Sequence, residues 1–117
     1  MAKLRVMLAE DDPTMVNLLK TLLAMEGFDV LDVGADEDIV RAVTEKYPDV
    51  LLMDVHLSHQ NGLEILDSIR RSANVRNVRI IMTSGLNVED DCMKRGADGF
   101  ILKPFMPDEL IQRLKGL

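Results

Sequence analysis

"VLLMDVHLSHQNGLEIL", residues 50–66, decides how this chain is built. Val50 to Met53 is apolar without interruption, which suits a strand buried on both faces inside a parallel sheet. Asp54 ends that run with a carboxylate. Two histidines and then Asn61-Gly62 interrupt the chain, after which Leu63, Ile65, Leu66 and Ile69 follow at helical spacing. Strand, polar loop and helix make one βα unit, with an acid at the point where the strand stops.

The same unit recurs on both sides. "LRVMLA" (4–9) is an apolar run ending in Glu10-Asp11-Asp12, and Met15, Leu18, Leu19, Leu22, Leu23 and Met25 then fall at helical spacing until Gly27. Asp12 before Pro13 predicts an N-cap followed by proline in the first turn. "FDVLDV" (28–33) reads as a strand, and Asp36 as the cap of a helix with Ile39, Val40, Val43 and Tyr47 on its inner face, stopped by Pro48. "VRIIMT" (78–83) is the fourth strand, with a short acidic-fronted helix over 87–95. "GFIL" (99–102) is the fifth strand, and "PDELIQRLKGL" (107–117) the last helix. Five strand–helix repeats predict a parallel sheet with helices on both faces, and the connection rules favour a doubly wound arrangement.

Composition bounds the function. The 117 residues suit one domain, residues 1–117, and no linker, repeat or low-complexity segment divides them. A formal net charge of −6 argues against nucleic-acid binding by the domain and against an acidic membrane surface. The single cysteine, Cys92, excludes an internal disulfide and suits a reducing cytoplasm. No apolar run is long enough for a membrane span, and "MAKLRVMLAED" is too short and too acidic for a signal peptide. A cytoplasmic domain is expected.

In doubly wound sheets the site lies outside the carboxyl ends of the strands. There the sequence puts Glu10, Asp11 and Asp12 after strand one, Asp54 after strand three, Thr83-Ser84-Gly85 after strand four and Lys103-Pro104 after strand five. Carboxylates about 5 Å apart repel by about 3 kcal/mol per pair at an effective dielectric near 20. A hard divalent cation relieves that repulsion, and carboxylates with retained waters favour Mg²⁺. Mg²⁺ beside a lysine suits phosphoryl transfer, and a carboxylate there can act as the nucleophile. Acids at single strand ends are often mere loop polarity; four strand ends agreeing on one chemistry are not.

In order and spacing, "AEDDP", "DVLLMD", "NGLEIL", "IIMTSG" and "GADGFILKPF" resemble a response-regulator receiver domain of two-component signalling systems, over residues 4 to 114. The resemblance implies a flavodoxin-like fold with five parallel strands in the order 2-1-3-4-5. It implies a phosphorylation-switched signalling module, not an enzyme beyond its own phosphorylation and slow dephosphorylation. Asp54 would accept the phosphoryl group from the phosphohistidine of a sensor histidine kinase or phosphotransfer protein. Asp11 and Asp54 would bind Mg²⁺, with the backbone carbonyl of His56 as third protein ligand and Glu10 acting through a coordinated water. Lys103, in a cis bond to Pro104, would hold the phosphate. Ser84, 30 residues beyond Asp54 and followed by Gly85, would be the responding hydroxyl, with Thr83 as the alternative. Phe100, three before the lysine, would be the aromatic switch or simply a buried strand residue. The downstream partner or output domain is unknown, and a homodimer is one assembly the resemblance allows.

Three features depart from the family pattern. The usual proline after the phosphorylated strand is missing from "HLSHQNG", which predicts a looser loop. Ser84 and Lys103 are only 19 apart, which predicts a short or irregular fourth helix. "ADG" (97–99) leaves Asp98 alone, with Arg113 as its candidate partner, for the ion pairs by which such domains dimerise. His56 and His59 lie on a loop without a third soft ligand and read as exposed. Two other functions remain open. An aspartyl-nucleophile phosphohydrolase would need a second acid where His56 stands; a flavodoxin-like nucleotide binder would need a glycine- or hydroxyl-rich cradle after strand one. Whether the domain stands alone or belongs to a longer regulator or hybrid kinase is also open.

Overall fold

The alternation of apolar runs and amphipathic stretches becomes an alternation of strands and helices. The computed structural model describes residues 3–34 and 36–117. Strands β1 (Arg5–Ala9), β2 (Asp29–Asp32), β3 (Val50–Asp54), β4 (Arg79–Ser84) and β5 (Gly99–Leu102) form one parallel sheet in the order β2-β1-β3-β4-β5. Helices α1 (Pro13–Met25) and α5 (Pro107–Lys115) cover one face, packing Leu19, Leu23, Leu110 and Leu114 on Leu8, Leu52, Ile81 and Ile101. Helices α2 (Ile39–Lys46), α3 (Gly62–Arg71) and α4 (Glu89–Lys94) cover the other, over Met7, Leu51, Met53, Ile80 and Met82. Burial on both sides is why β3 and β4 carry no polar residue except at their ends. Strand order reverses between β1 and β3, and the doubly wound expectation is met there.

The helix ends follow local chemistry. Asp12 caps α1 as expected, its carboxylate accepting from Thr14 N at 3.0 Å with Pro13 in the first turn. The cap of α2 is Asp38, not Asp36: its side chain accepts from Arg41 N at 3.2 Å. Asp36 is two residues too early, because the first helical residue is Ile39. Tyr47 is not on the inner face of α2 either. It is the C-cap, in the left-handed region at φ 43°, and is half exposed. Pro48 prevents the helix from continuing to carry Tyr47 onto the core side. On α1, Leu18 and Met25 are exposed, since the helix meets the sheet along a narrow stripe centred on Leu19 and Leu23. Helix α4 is short, as expected, with six residues and no side-chain cap bond.

The loop from Val55 to Asn61 is not loose. His56 pairs with Asn61 across it, Asn61 caps α3 by accepting from Leu63 N at 2.9 Å, and Gly62 N donates to Val55 O at 2.9 Å. Gly62 sits so close beneath the end of β3 that a Cβ there would stand 2.5 Å from the Asp54 carbonyl oxygen and 2.8 Å from Val55 Cα. Both are backbone atoms and cannot swing aside. Gly62→Ala is therefore expected to cost about 1–3 kcal/mol of unfolding free energy, the usual range for overpacking. Urea denaturation checks this; a loss within a few tenths of a kcal/mol would mean that the loop absorbs the methyl group.

Candidate phosphoacceptor and cation site

Sheet register brings the polar strand ends together. Ala9 pairs with Met53, Asp54 with Thr83, and Thr83 with Ile101. Side chains alternate along a strand, so Glu10, Asp54, Thr83 and Lys103 all emerge on the face that carries Leu8 and Leu52. Those four line one void of about 10 Å³. Lys103 Nζ donates to Asp54 Oδ2 at 2.6 Å and to Glu10 Oε2 at 2.7 Å. Both carboxylates are largely buried, at 12% side-chain exposure, where an unpaired charge would be costly. Asp54 Oδ1 accepts from His56 N at 2.9 Å, and Glu10 Oε1 accepts from Asp12 N at 3.2 Å.

Burial pulls the pKa of Lys103 down, but hydrogen bonds to Asp54 and Glu10 and their charges outweigh it, and the net direction is up. The Lys103–Pro104 bond is cis, as the resemblance implied.

Asp11 is placed differently from its neighbours. Its Oδ2 accepts from Ser58 Oγ at 2.6 Å and also from Ser58 N. Among the described residues no three acidic, histidine or cysteine side chains meet as a metal-binding group. Lys103 occupies two of the carboxylates and Ser58 the third. The donors are nonetheless those of a hard cation: carboxylate oxygens, with one lysine against three acids. The residues fit Mg²⁺ by donor type and by the negative charge that Lys103 leaves uncompensated. His56 and His59 are exposed on the loop. A larger cavity, about 590 Å³, lies to one side, lined among others by Asp38, His59, Gln60 and Glu64. Size does not mark the chemistry here, which needs converging charges more than an enclosed volume.

Thr83 and Ser84 diverge. Thr83 lies opposite Asp54 and shares its face, while Ser84 is wholly buried and its Oγ accepts from Leu86 N at 3.0 Å, at the start of the β4–α4 connection. By alternation Ser84 shares the α2–α4 face with Phe100, which is 4% exposed and part of that core. Asp98 is taken up within the chain. Its Oδ2 accepts from Arg70 Nη2 at 2.9 Å and from Ile80 N at 2.8 Å. Ser58 and the Arg70–Asp98 bond were not foreseen from the sequence. The proline missing from "HLSHQNG" was the available signal for the first.

A model of the response regulator receiver domain matches residues 6–115. The chain belongs to this family. The receiver is 36% identical over 116 residues to the transcriptional regulatory protein TrcR of Mycobacterium tuberculosis, covering 97% of this chain and 45% of that protein. It is 32% identical over 113 residues to the DNA-binding response regulator MtrA of Mycolicibacterium smegmatis, covering 95% and 49%. The chain thus spans about half the length of these relatives. Among solved structures, the receiver domain of the sensor histidine kinase PA1611 of Pseudomonas aeruginosa superposes with a TM-score of 0.84 at 28% identity, over 98% of this chain and 97% of that one. That structure has a magnesium ion coordinated in its active-site cleft. A putative response regulator from Chloroflexus aurantiacus shares the fold, with a TM-score of 0.89 at 24% identity over 98% and 97% of the two chains. Membership disfavours the phosphohydrolase and nucleotide-binder readings. No helix among the described residues is long and apolar enough to cross a membrane.

Lys103 carries a testable sign. Its pKa in the folded chain lies above the ordinary lysine value of 10.5. The stability that its charge contributes is therefore complete below 10.5 and lost as pH rises through the raised value. An NMR titration of the Lys103 side chain should end above 10.5, and urea unfolding should show a weakened fold at pH values beyond it. A midpoint below 10.5 would mean that burial outweighs the two carboxylates.

Proposed function

We propose that this receiver accepts a phosphoryl group on Asp54 from the phosphohistidine of a sensor histidine kinase or phosphotransfer protein. The observation that carries the reading is the Lys103 ammonium held on Asp54 and Glu10 at the strand ends, in a chain of this family. Asp54 Oδ2 is the nucleophile: it bonds to phosphorus as the phosphorus–nitrogen bond to histidine breaks, and the imidazole leaves with the electron pair. Lys103 then turns from Asp54 to the phosphoryl oxygens, where its charge offsets the new negative charge. By the family resemblance, Asp11, Asp54 and the His56 carbonyl would hold Mg²⁺, with Glu10 acting through a water; a magnesium ion in the cleft of the Pseudomonas relative supports the choice of cation. Bound there, Mg²⁺ would supply Lewis-acid stabilisation of the phosphoryl charge. The reaction is the protein's own phosphorylation and slow dephosphorylation; it serves signalling in the cytoplasm.

Ser84 is the proposed responder, drawn toward the phosphoryl group so that its bond to Leu86 N is given up and the start of α4 moves. Its place on the same face as Phe100 supports a joint shift of hydroxyl and ring. The partner that reads this surface is an output domain or a separate protein, and the DNA-binding relatives make a transcriptional output one such case. A second reading rests on Thr83, which faces Asp54 directly.

Two experiments test the scheme. Incubation with a small acyl-phosphate donor and Mg²⁺ should add one hydroxylamine-labile phosphate, abolished in Asp54→Asn; full incorporation in that variant would overturn the assignment. Separately, Ser84→Ala should still be phosphorylated but lose the amide shifts at residues 85–95, and Thr83→Ala should keep them. The opposite pattern would give the role to Thr83.

A further inference from the structure

Ser58 lies in "HLSHQNG", the stretch from which the family's usual proline is missing, and it uses both groups that a proline lacks. Its backbone N–H and its hydroxyl donate to the same oxygen of Asp11, Oδ2, the hydroxyl at 2.6 Å. Asp11 is an acid of the β1–α1 connection and Ser58 lies 47 residues away on the β3–α3 loop. The two bonds therefore join the loops on either side of the strand-order reversal. The loop is held at further points, by the His56–Asn61 bridge and by Gln60, whose amide donates to Glu37 O at 2.8 Å. Ser58 thus meets Asp11 from an anchored backbone.

Resting on the proposed cation site, we infer that Ser58 is a positioning residue that latches Asp11 in the cation-free state and competes with Mg²⁺ for it. Three observations combine. Both donors converge on one carboxylate oxygen, and hydrogen bonds to a charged acceptor are the stronger kind. Asp11 so held does not join Glu10 and Asp54 in a three-ligand group among the described residues. Those two acids meanwhile share the single ammonium of Lys103, which bonds to both. Cation binding requires Asp11 to exchange two neutral donors for a divalent charge, so part of the binding free energy goes into opening the latch. A proline at position 58 would present neither donor.

The test is titration of Mg²⁺ alone into the full 117-residue chain, followed by calorimetry and by the amide resonance of residue 58. Ser58→Ala removes the hydroxyl and should tighten Mg²⁺ binding about three- to tenfold. Ser58→Pro removes both donors and should tighten it further, while Ser58→Thr keeps both and should bind as the unaltered chain does. In the unaltered chain the Ser58 amide should lose its strongly hydrogen-bonded downfield shift as Mg²⁺ saturates. Unchanged or weaker binding by Ser58→Ala would overturn the latch, as would a Ser58 amide that stays downfield at saturation, since the cation would then share Asp11 through its other oxygen. Absence of Mg²⁺ binding in the unaltered chain and in every variant would overturn the cation site itself, along with the latch.

Discussion

Everything at the carboxyl edge of this sheet depends on the ammonium of Lys103 lying between Glu10 and Asp54. Two carboxylates brought together at low exposure would otherwise repel by a few kcal/mol. With the lysine in place, β1, β3 and β5 can deliver charged residues to one point without opening the core beneath them. The lysine reaches that point because β5 is the outer strand beyond β4 and runs parallel to the rest. Lys103 N also donates to Ser84 O at 2.8 Å, which ties the lysine backbone to the end of β4. Charge balance and strand pairing are thus the same constraint seen at two scales.

The β3–α3 loop shows how one missing proline alters such a site. Loss of that rigid residue would be expected to free the loop, yet it supplies the N–H and hydroxyl that Asp11 accepts. Gly62 completes the arrangement by letting α3 start directly under the Asp54 carbonyl. The loop is short of conformational freedom because its polar groups are spent on neighbours.

The opposite end of the sheet is built for permanence. Arg70 donates to the carbonyls of Gly96, Arg76 and Val78 at 2.8, 2.9 and 2.6 Å and pairs with Asp98. It thereby fastens α3 to the starts of β4 and β5. Helix α4, between those strands, has six residues, no side-chain cap, and exposed apolar residues around it at Leu86 and Met93. At its other end Arg95 ties it to α3 by donating to Asp67 Oδ2 at 2.6 Å, so its uncapped start is the less fastened end.

Much of this was legible in the residues themselves. Unbroken apolar runs such as Val50–Met53 and the helical spacing of Leu63, Ile65, Leu66 and Ile69 determine a two-sided parallel sheet, because only burial on both faces favours that pattern. Asp12 before Pro13 determined the α1 cap, a local matter, and the polar residues closing four strands determined where the chemistry must lie. Local signals were less decisive where several residues competed, as with Asp36 and Asp38 before α2, or where a boundary turned Tyr47 outward. Tertiary structure alone decided what each acid touches. Lys103 and Asp54 are 49 residues apart and Ser58 and Asp11 are 47 apart, so no spacing rule links them; they meet only because the order β2-β1-β3-β4-β5 sets their strands side by side or one strand removed. Asp98 likewise met Arg70, since a carboxylate at a strand start bonds to whichever donors the folded chain brings within about 3 Å, and here those came from α3 and β4.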